Sequence, residues 1–363
     1  MEETEQTTAT ELATLPGLET IPGSVTPEID TKEAPEHWIE RGPQKRLMLF
    51  SGRSHPELAT KIGERLGVEL GGITIGSFAN GETYCRFEES IRGADVFLVQ
   101  TGCEPVDRNL MELLIMIQAA KLASAKRITA VMPWYPYARQ DRKARPREPI
   151  TARLVADMLQ VAGVDRVLTM DLHAGQIQGF FSIPVDHMVA LPIFAQHLRD
   201  QGLSGPGVVS VAPDAGRAKM AVKFAELLGA DFAIMHKTRP AHDEAAVTEV
   251  TGHVRDKVAI VGDDVIMTGG TLLAGARALR EAGATKVYVC ATHGIFAKDS
   301  LAQFRDAKEI DGLIVTDTIP IDPILKPDNV TVLTVSGLLA ETIMNVFADE
   351  SVSAIFQGEN QLF

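Results

Sequence analysis

The chain reads as an α/β protein built on two doubly wound parallel sheets, and three observations lead there. From Arg46 onward, short β-branched runs alternate with helical patterns, the pattern of strands joined by crossover helices. At 363 residues the chain is long enough for about two such domains. Two segments also look alike: MELLIMIQAAKLASAKRITAVMP at 111–133 and LLAGARALREAGATKVYVCATH at 272–293. Each runs from a helix through a small-residue turn and a lysine into a strand, which points to duplication.

The elements follow in order. Residues 1–44 hold ten acids against two bases, a net −8 within the chain's −13, so the remaining 319 residues carry only −5. This leader is rich in Thr, Glu and Pro without periodicity and is expected to be disordered. Leu47–Phe50, Val96–Gln100, Ile128–Met132 and Arg166–Thr169 read as strands of a first domain, 45–186. Gly207–Ala212, Phe232–Met235, Val258–Val261, Val287–Ala291 and Gly312–Val315 read as strands of a second, 187–339. The last segment, Leu338–Phe356, reads as a helix followed by a strand, SVSAIF, with 340–358 returning to the first domain.

Composition narrows the class. With 45% hydrophobic and 23% charged residues the chain is of globular type, and no apolar stretch nears the ~20 residues of a membrane helix. The acidic N-terminus has no apolar h-region, so no signal peptide is expected. Cys85, Cys103 and Cys290 are distant and odd in number, which suggests neither a disulfide framework nor a zinc site. A cytoplasmic location is the expectation.

The densest chemistry lies in KVAIVGDDVIMTGGTLLAGARALREAG, 257–283. A strand that delivers its loop to a helix N-terminus presents N–H groups and the positive end of a helix dipole to a phosphate. Thr268, Gly269, Gly270 and Thr271 suit that role, because glycines admit a bulky anion and threonines add donors. Asp263 and Asp264 repel phosphate and are better read as acceptors for paired hydroxyls or as ligands of a hydrated cation. Together they describe a pentose phosphate site.

DLHAGQIQGFF, 171–181, follows a predicted strand, where ligands of open α/β sheets bind. With YARQDRKARPREPITA at 137–152 and ELLIMIQAAKLASAKRI at 112–128, it closely resembles ribose-phosphate pyrophosphokinase, from about Arg46 to Phe356. The resemblance implies two similar doubly wound domains of phosphoribosyltransferase type. It also implies transfer of the β,γ-diphosphoryl group of ATP to the C1 hydroxyl of ribose 5-phosphate, giving PRPP and AMP.

Residue by residue, the resemblance assigns Asp263 to the ribose hydroxyls with help from Asp264, and Met267, Thr268, Gly269, Gly270 and Thr271 to the 5-phosphate. Mg²⁺ falls near His173 and Asp214. ATP falls where Phe78, Asn80, Gly81 and Glu82 meet Arg139, Gln140 and Asp141. On residue types alone, NGE is an ordinary hairpin turn. Lys237 and Arg239, in HKTRPAHDEAAVTEVTG at 236–252, match the family's cationic catalytic residues, with Arg239 also on ribose 5-phosphate. The basic run Arg139–Arg147 is proline-bounded in a mildly acidic body, so its expected guest is a nucleotide or an allosteric phosphate or ADP, and not nucleic acid. The family assembles as hexamers, so a homohexamer is expected.

Three departures from the family pattern stand out. Met267 takes the place of an acid, APDAGRAKMA at 212–221 replaces a PDxGG form and sets Arg217 and Lys219 beside Asp214, and Asn80 replaces an aspartate. Two rivals are a phosphoribosyltransferase, which needs no ATP segments, and a noncatalytic regulatory paralogue, which has no need of Lys237, Arg239, His173 and Asp214 together.

Overall fold

A strand that is apolar on both faces needs cover on both, and β4 (Asp95–Val99) is buried at all five positions. The computed structural model describes residues 45–238 and 247–353; the leader 1–44 lies outside them. Around β4 the first sheet takes the order β1 (Leu47–Ser51), β4, β5 (Arg127–Met132), β6 (Arg166–Met170), β7 (Val185–Met188), all parallel. The crossovers are α1 (Pro56–Leu66), α2 (Val106–Leu122) and α3 (Thr151–Ala162). Between α1 and β4, β2 (Ile73–Ser77) and β3 (Thr83–Phe87) pair only with each other, antiparallel, as a separate arm.

After α4 (Leu191–Asp200) the second sheet takes the order β10, β9, β8, β11, β12, β13, β14. Its ranges are β8 (Val208–Ala212), β9 (Asp231–Thr238), β10 (Val247–Thr251), β11 (Val258–Ile266), β12 (Lys286–Gly294), β13 (Gly312–Thr316) and β14 (Val330–Leu333), with helices α5 (Ala218–Leu228), α6 (Gly270–Glu281), α7 (Ser300–Arg305) and α8 (Ser336–Ala348). Here the sheet departs from the expected all-parallel form, since β10 runs antiparallel to β9. The connection 239–246 is too short for a crossover helix, and a parallel return needs a dozen residues or more.

The hint of duplication is seen in the topology. β1-β4-β5-β6-β7 in the first sheet and β8-β11-β12-β13-β14 in the second follow one strand order. Each half has a hairpin strand pair after its first helix; β2–β3 stands apart, and β9–β10 extends the sheet edge.

Three hydrophobic clusters hold the layers. One joins α2 and α3 to the first sheet through Leu113, Met116, Ile117, Val155 and Leu159. Another joins α6 and α7 to the second through Leu272, Leu279 and Phe304. The third serves both sheets, with Leu168 and Phe97 from one, Ile260 and Ile314 from the other, and Phe194 and Phe224 from α4 and α5. It also holds Leu58 and Ile62 of α1 against Leu339, Ile343 and Val346, so α8 packs on the first half. The strand read in SVSAIF is not formed where described: Val352 and Ser353 lie in a 3-10 turn, and residues from 354 fall outside the described set. Among the described residues no helix is long and apolar enough to cross a membrane.

Candidate active site

Parallel strands that neighbour one another bring the loops at their carboxyl ends together. β8 and β11 are neighbours, so the turn 213–217 meets the end of β11 and the loop 267–269 that follows it. These loops, with His173 and Arg139 from the first half, line a cleft of about 390 Å³. Asp214, Arg217, Asp263, Asp264, Met267, Thr268, Gly269 and Thr271 are all on its wall.

The loop's backbone is set by glycine. Gly269 is the N-cap of α6 at φ 73, a conformation that disfavours side chains, and a Cβ there would lie 2.4 Å from the Phe304 ring. No side chain caps α6, and its first turn carries no acid. A helix leaves its first N–H groups without intrahelical partners, and such an end is able to take an anion. The Met267 carbonyl accepts from Ala297 N–H at 2.8 Å and from Ser300 Oγ at 3.0 Å, which fixes the loop's other side.

The acid pair sits in a charge network. Arg217 Nη2 lies 2.6 Å from Asp264 Oδ1, and Arg217 Nε lies 3.4 Å from Asp263 Oδ1. His173 Nδ1 lies 2.6 Å from Asp264 Oδ2. The same Nδ1 also lies 3.1 Å from Arg217 Nη2, so the ring, the guanidinium and the carboxylate form one cluster. Burial alone would raise the Asp264 carboxyl, yet the His173 hydrogen bond and the Arg217 charge outweigh it and hold Asp264 ionised. Burial and then the Asp264 charge push Asp263 well above the ordinary carboxylate range. Asp214 caps the short turn that carries Arg217, accepting its N–H at 3.2 Å. Arg217 is the residue the sequence reading left unassigned; the adjacency of β8 and β11 was the signal that would have found it.

The nucleotide residues divide. Arg139 and Gln140 line a second, larger cleft of about 680 Å³ with Trp134, Tyr137 and Val106, and Arg139 and Met267 belong to both clefts. Asp141 is turned inward, where it accepts from Gln176 of the DLHAGQIQGFF segment. Phe78, Asn80, Gly81 and Glu82 line neither cleft. They form the tip of the arm, with Gly81 at φ 89 and Phe78 N–H donating to the Glu82 carbonyl at 2.8 Å. Phe78 is 55% exposed, against Tyr84 with ring centroids 5.7 Å apart. Lys237 is in register with Thr248 near the end of β9; its side chain, and Arg239 altogether, lie outside the described residues.

Behind the cleft a buried polar seam joins the halves. Asp171 Oδ2 accepts from Thr292 Oγ1 at 2.6 Å and from Ala190 N–H at 2.9 Å, and burial pushes its carboxyl up to about 6. His293 Nε2 faces the Met170 carbonyl at 3.1 Å and so carries the proton, while Nδ1 meets Thr318 Oγ1 at 2.9 Å. His187 Nε2 accepts from Leu172 N–H at 2.9 Å. Burial lowers both histidines to about 4.

Twin open sheets with an uncapped helix end and an acid pair in one cleft make an α/β protein suited to a phosphorylated polyol. Comparison with known proteins narrows the class. Residues 47–163 match the N-terminal domain of ribose phosphate pyrophosphokinase, and 239–357 match the phosphoribosyl synthetase-associated domain. Ribose-phosphate pyrophosphokinases of Corynebacterium efficiens and Caldanaerobacter subterraneus are each 48% identical, covering 89% and 85% of this chain and 99% and 98% of their own. The crystal structure of phosphoribosylpyrophosphate synthetase from Mycobacterium smegmatis has a TM-score of 0.78 at 46% identity, over 84% of this chain and all of that one. The chain belongs to the ribose-phosphate pyrophosphokinase family.

Proposed function

We propose that the 390 Å³ cleft seats ribose 5-phosphate and the adjoining larger cleft receives ATP. The chain is a ribose-phosphate diphosphokinase, moving the β,γ-diphosphoryl group of ATP to the sugar's C1 oxygen with release of AMP. The observation that carries the seating is the uncapped, acid-free start of α6 beside Asp263 and Asp264. The 5-phosphate takes the N–H groups and hydroxyls of Thr268–Thr271, and the acid pair accepts from the ribose hydroxyls.

Arg139 lies on the wall common to both clefts, where a cation meets the phosphates. Lys237 and Arg239 take the developing charge on the transferring group. Mg²⁺ is the metal: Asp214 offers an exposed carboxylate, and His173 lies on the same cleft wall to act directly or through water. No closed cluster of three or more His, Cys, Asp or Glu ligands occurs among the described residues. That suits an ion that keeps its waters and takes phosphate oxygens, and when bound it would neutralise the ATP phosphates.

The arm carrying Phe78 and Glu82 ends in an exposed ring away from both clefts of its own chain, which supports a homo-oligomer, hexameric by analogy, in which one copy's arm completes its neighbour's nucleotide site. The same reading places 45–186 with 340–358 in one domain and 187–339 in another, with 1–44 as a leader outside the chemistry.

Phosphorus NMR of the protein with MgATP and ribose 5-phosphate tests the reaction. AMP and a diphosphate on ribose C1 are expected. ATP binding without turnover would overturn the reading in favour of a noncatalytic regulatory paralogue.

A further inference from the structure

Two adjacent carboxylates at the floor of a cleft can chelate a hydrated cation or accept from a pair of hydroxyls. We propose that Arg217 decides between them: its guanidinium is a fixed counter-ion that keeps divalent cations off the Asp263–Asp264 pair and reserves that pair for the ribose diol. The inference rests on the assignment of this cleft to ribose 5-phosphate.

The four oxygens are accounted for one by one. Asp264 Oδ1 faces Arg217 Nη2 at 2.6 Å, and Asp264 Oδ2 faces His173 Nδ1 at 2.6 Å. Asp263 Oδ1 accepts Asp264 N–H at 2.9 Å and lies 3.4 Å from Arg217 Nε. Among the described residues Asp263 Oδ2 has no cation or N–H partner, and the two carboxyl groups also meet each other. One oxygen beside a guanidinium is a poor anchor for a divalent ion, which meets like charge at contact range. A hydroxyl asks less, because a carboxylate oxygen keeps a lone pair after accepting one hydrogen bond.

Two features outside the pair point the same way. Met267 stands on the same wall where a third carboxylate would have strengthened a cation site. Asp214 caps the very turn that aims Arg217, and its carboxylate is exposed on the cleft. A single turn therefore offers a metal its ligand at Asp214 and denies it the acid pair. Arg217 is held to this position, with its side chain only 11% exposed. It is a positioning residue: it sets which partner the acids take.

The test uses Mn²⁺ alone, titrated into the full chain without nucleotide or sugar and followed by electron paramagnetic resonance. Arg217→Gln keeps a polar side chain and removes its charge, so Mn²⁺ should bind at least about tenfold tighter than in the native protein. Adding Asp263→Asn should abolish that gain, and Arg217→Lys should keep native affinity. Unchanged Mn²⁺ affinity in folded Arg217→Gln overturns the proposal. Should that variant not fold, Asp263→Asn in the native background decides: affinity within about twofold of native supports the proposal, and a fall of about tenfold shows the pair already holding the metal and overturns it. Because no substrate is present, these outcomes are independent of turnover, and failure of the reaction by NMR would count against the enzyme reading alone.

Discussion

The β4–α2 connection of the first half and the β11–α6 connection of the second hold the same place in one topology, and they use their polar groups in opposite ways. In the first, the side chains are spent inside. Gln100 accepts from Ser54 N–H and donates to the Asn109 carbonyl and Glu112, Thr101 donates to the Thr318 carbonyl, and Asn109 donates to the Cys103 carbonyl. The first turn of α2 also carries Asp107, which repels an anion. In the second, glycines replace those side chains, no acid follows, and the acids before the loop face a cleft. One loop thus ties its buried side chains into the fold while its turn 102–108 borders the larger cleft, and the other turns its acids to the 390 Å³ cleft. The difference lies in whether buried donors and acceptors are already satisfied.

Substitutions should therefore separate the two loops, by chemistry in one and by stability in the other. Asp264→Asn should lower kcat/KM for ribose 5-phosphate about 10³-fold in steady-state assays, since it loosens both His173 and Arg217. A loss under threefold would break the assignment. The seam between the halves should show in pH. Folded His187 and His293 titrate at about 4 against about 6.5 unfolded, so the unfolded chain takes up more protons as pH falls from 6.5 to 4. Each contributes a loss of about 3 kcal/mol over that window. Asp171, raised to about 6, works the other way, costing stability as pH climbs from about 4 through 6. The net is a loss of about 3 kcal/mol on acidification by urea unfolding at each pH; a flat profile would contradict the buried seam.

Gln100→Ala in the first-half loop should cost about 2 kcal/mol of stability by orphaning its partners, with kcat/KM per folded molecule within about threefold. A larger loss would mean that the buried Gln100 network also shapes the neighbouring cleft bordered by 102–108. Phe78→Ala should raise the KM for ATP about tenfold. Its ring is half exposed, so the melting temperature should hold within about 2 °C. A drop in stability with unchanged KM would make the arm's tip structural.

What the sequence revealed follows the same division. The core strands of both halves were readable because buried parallel strands are continuous apolar runs, as DVFLV and VVSVA are. β7 (VDHM) and β10 (VTEVT) are short and half polar, and neither carries that signal. The strand-to-helix turn at 268–271 was legible because its glycines break the apolar run between β11 and the helical pattern of α6. The reach of Arg217 to Asp264 was not, because the two residues are far apart in sequence and meet only through β8–β11 pairing. The inward turn of Asp141 was equally hidden, since an acid within a basic run looks the same whether it serves a ligand or a neighbouring segment.

The most direct measurement is a crystal structure of the complex with ribose 5-phosphate. The account predicts the phosphate on the N–H groups of Thr268–Thr271 and the ring hydroxyls within hydrogen-bond reach of Asp263. A phosphate at the start of α2, or the sugar bound away from the acid pair, would contradict it.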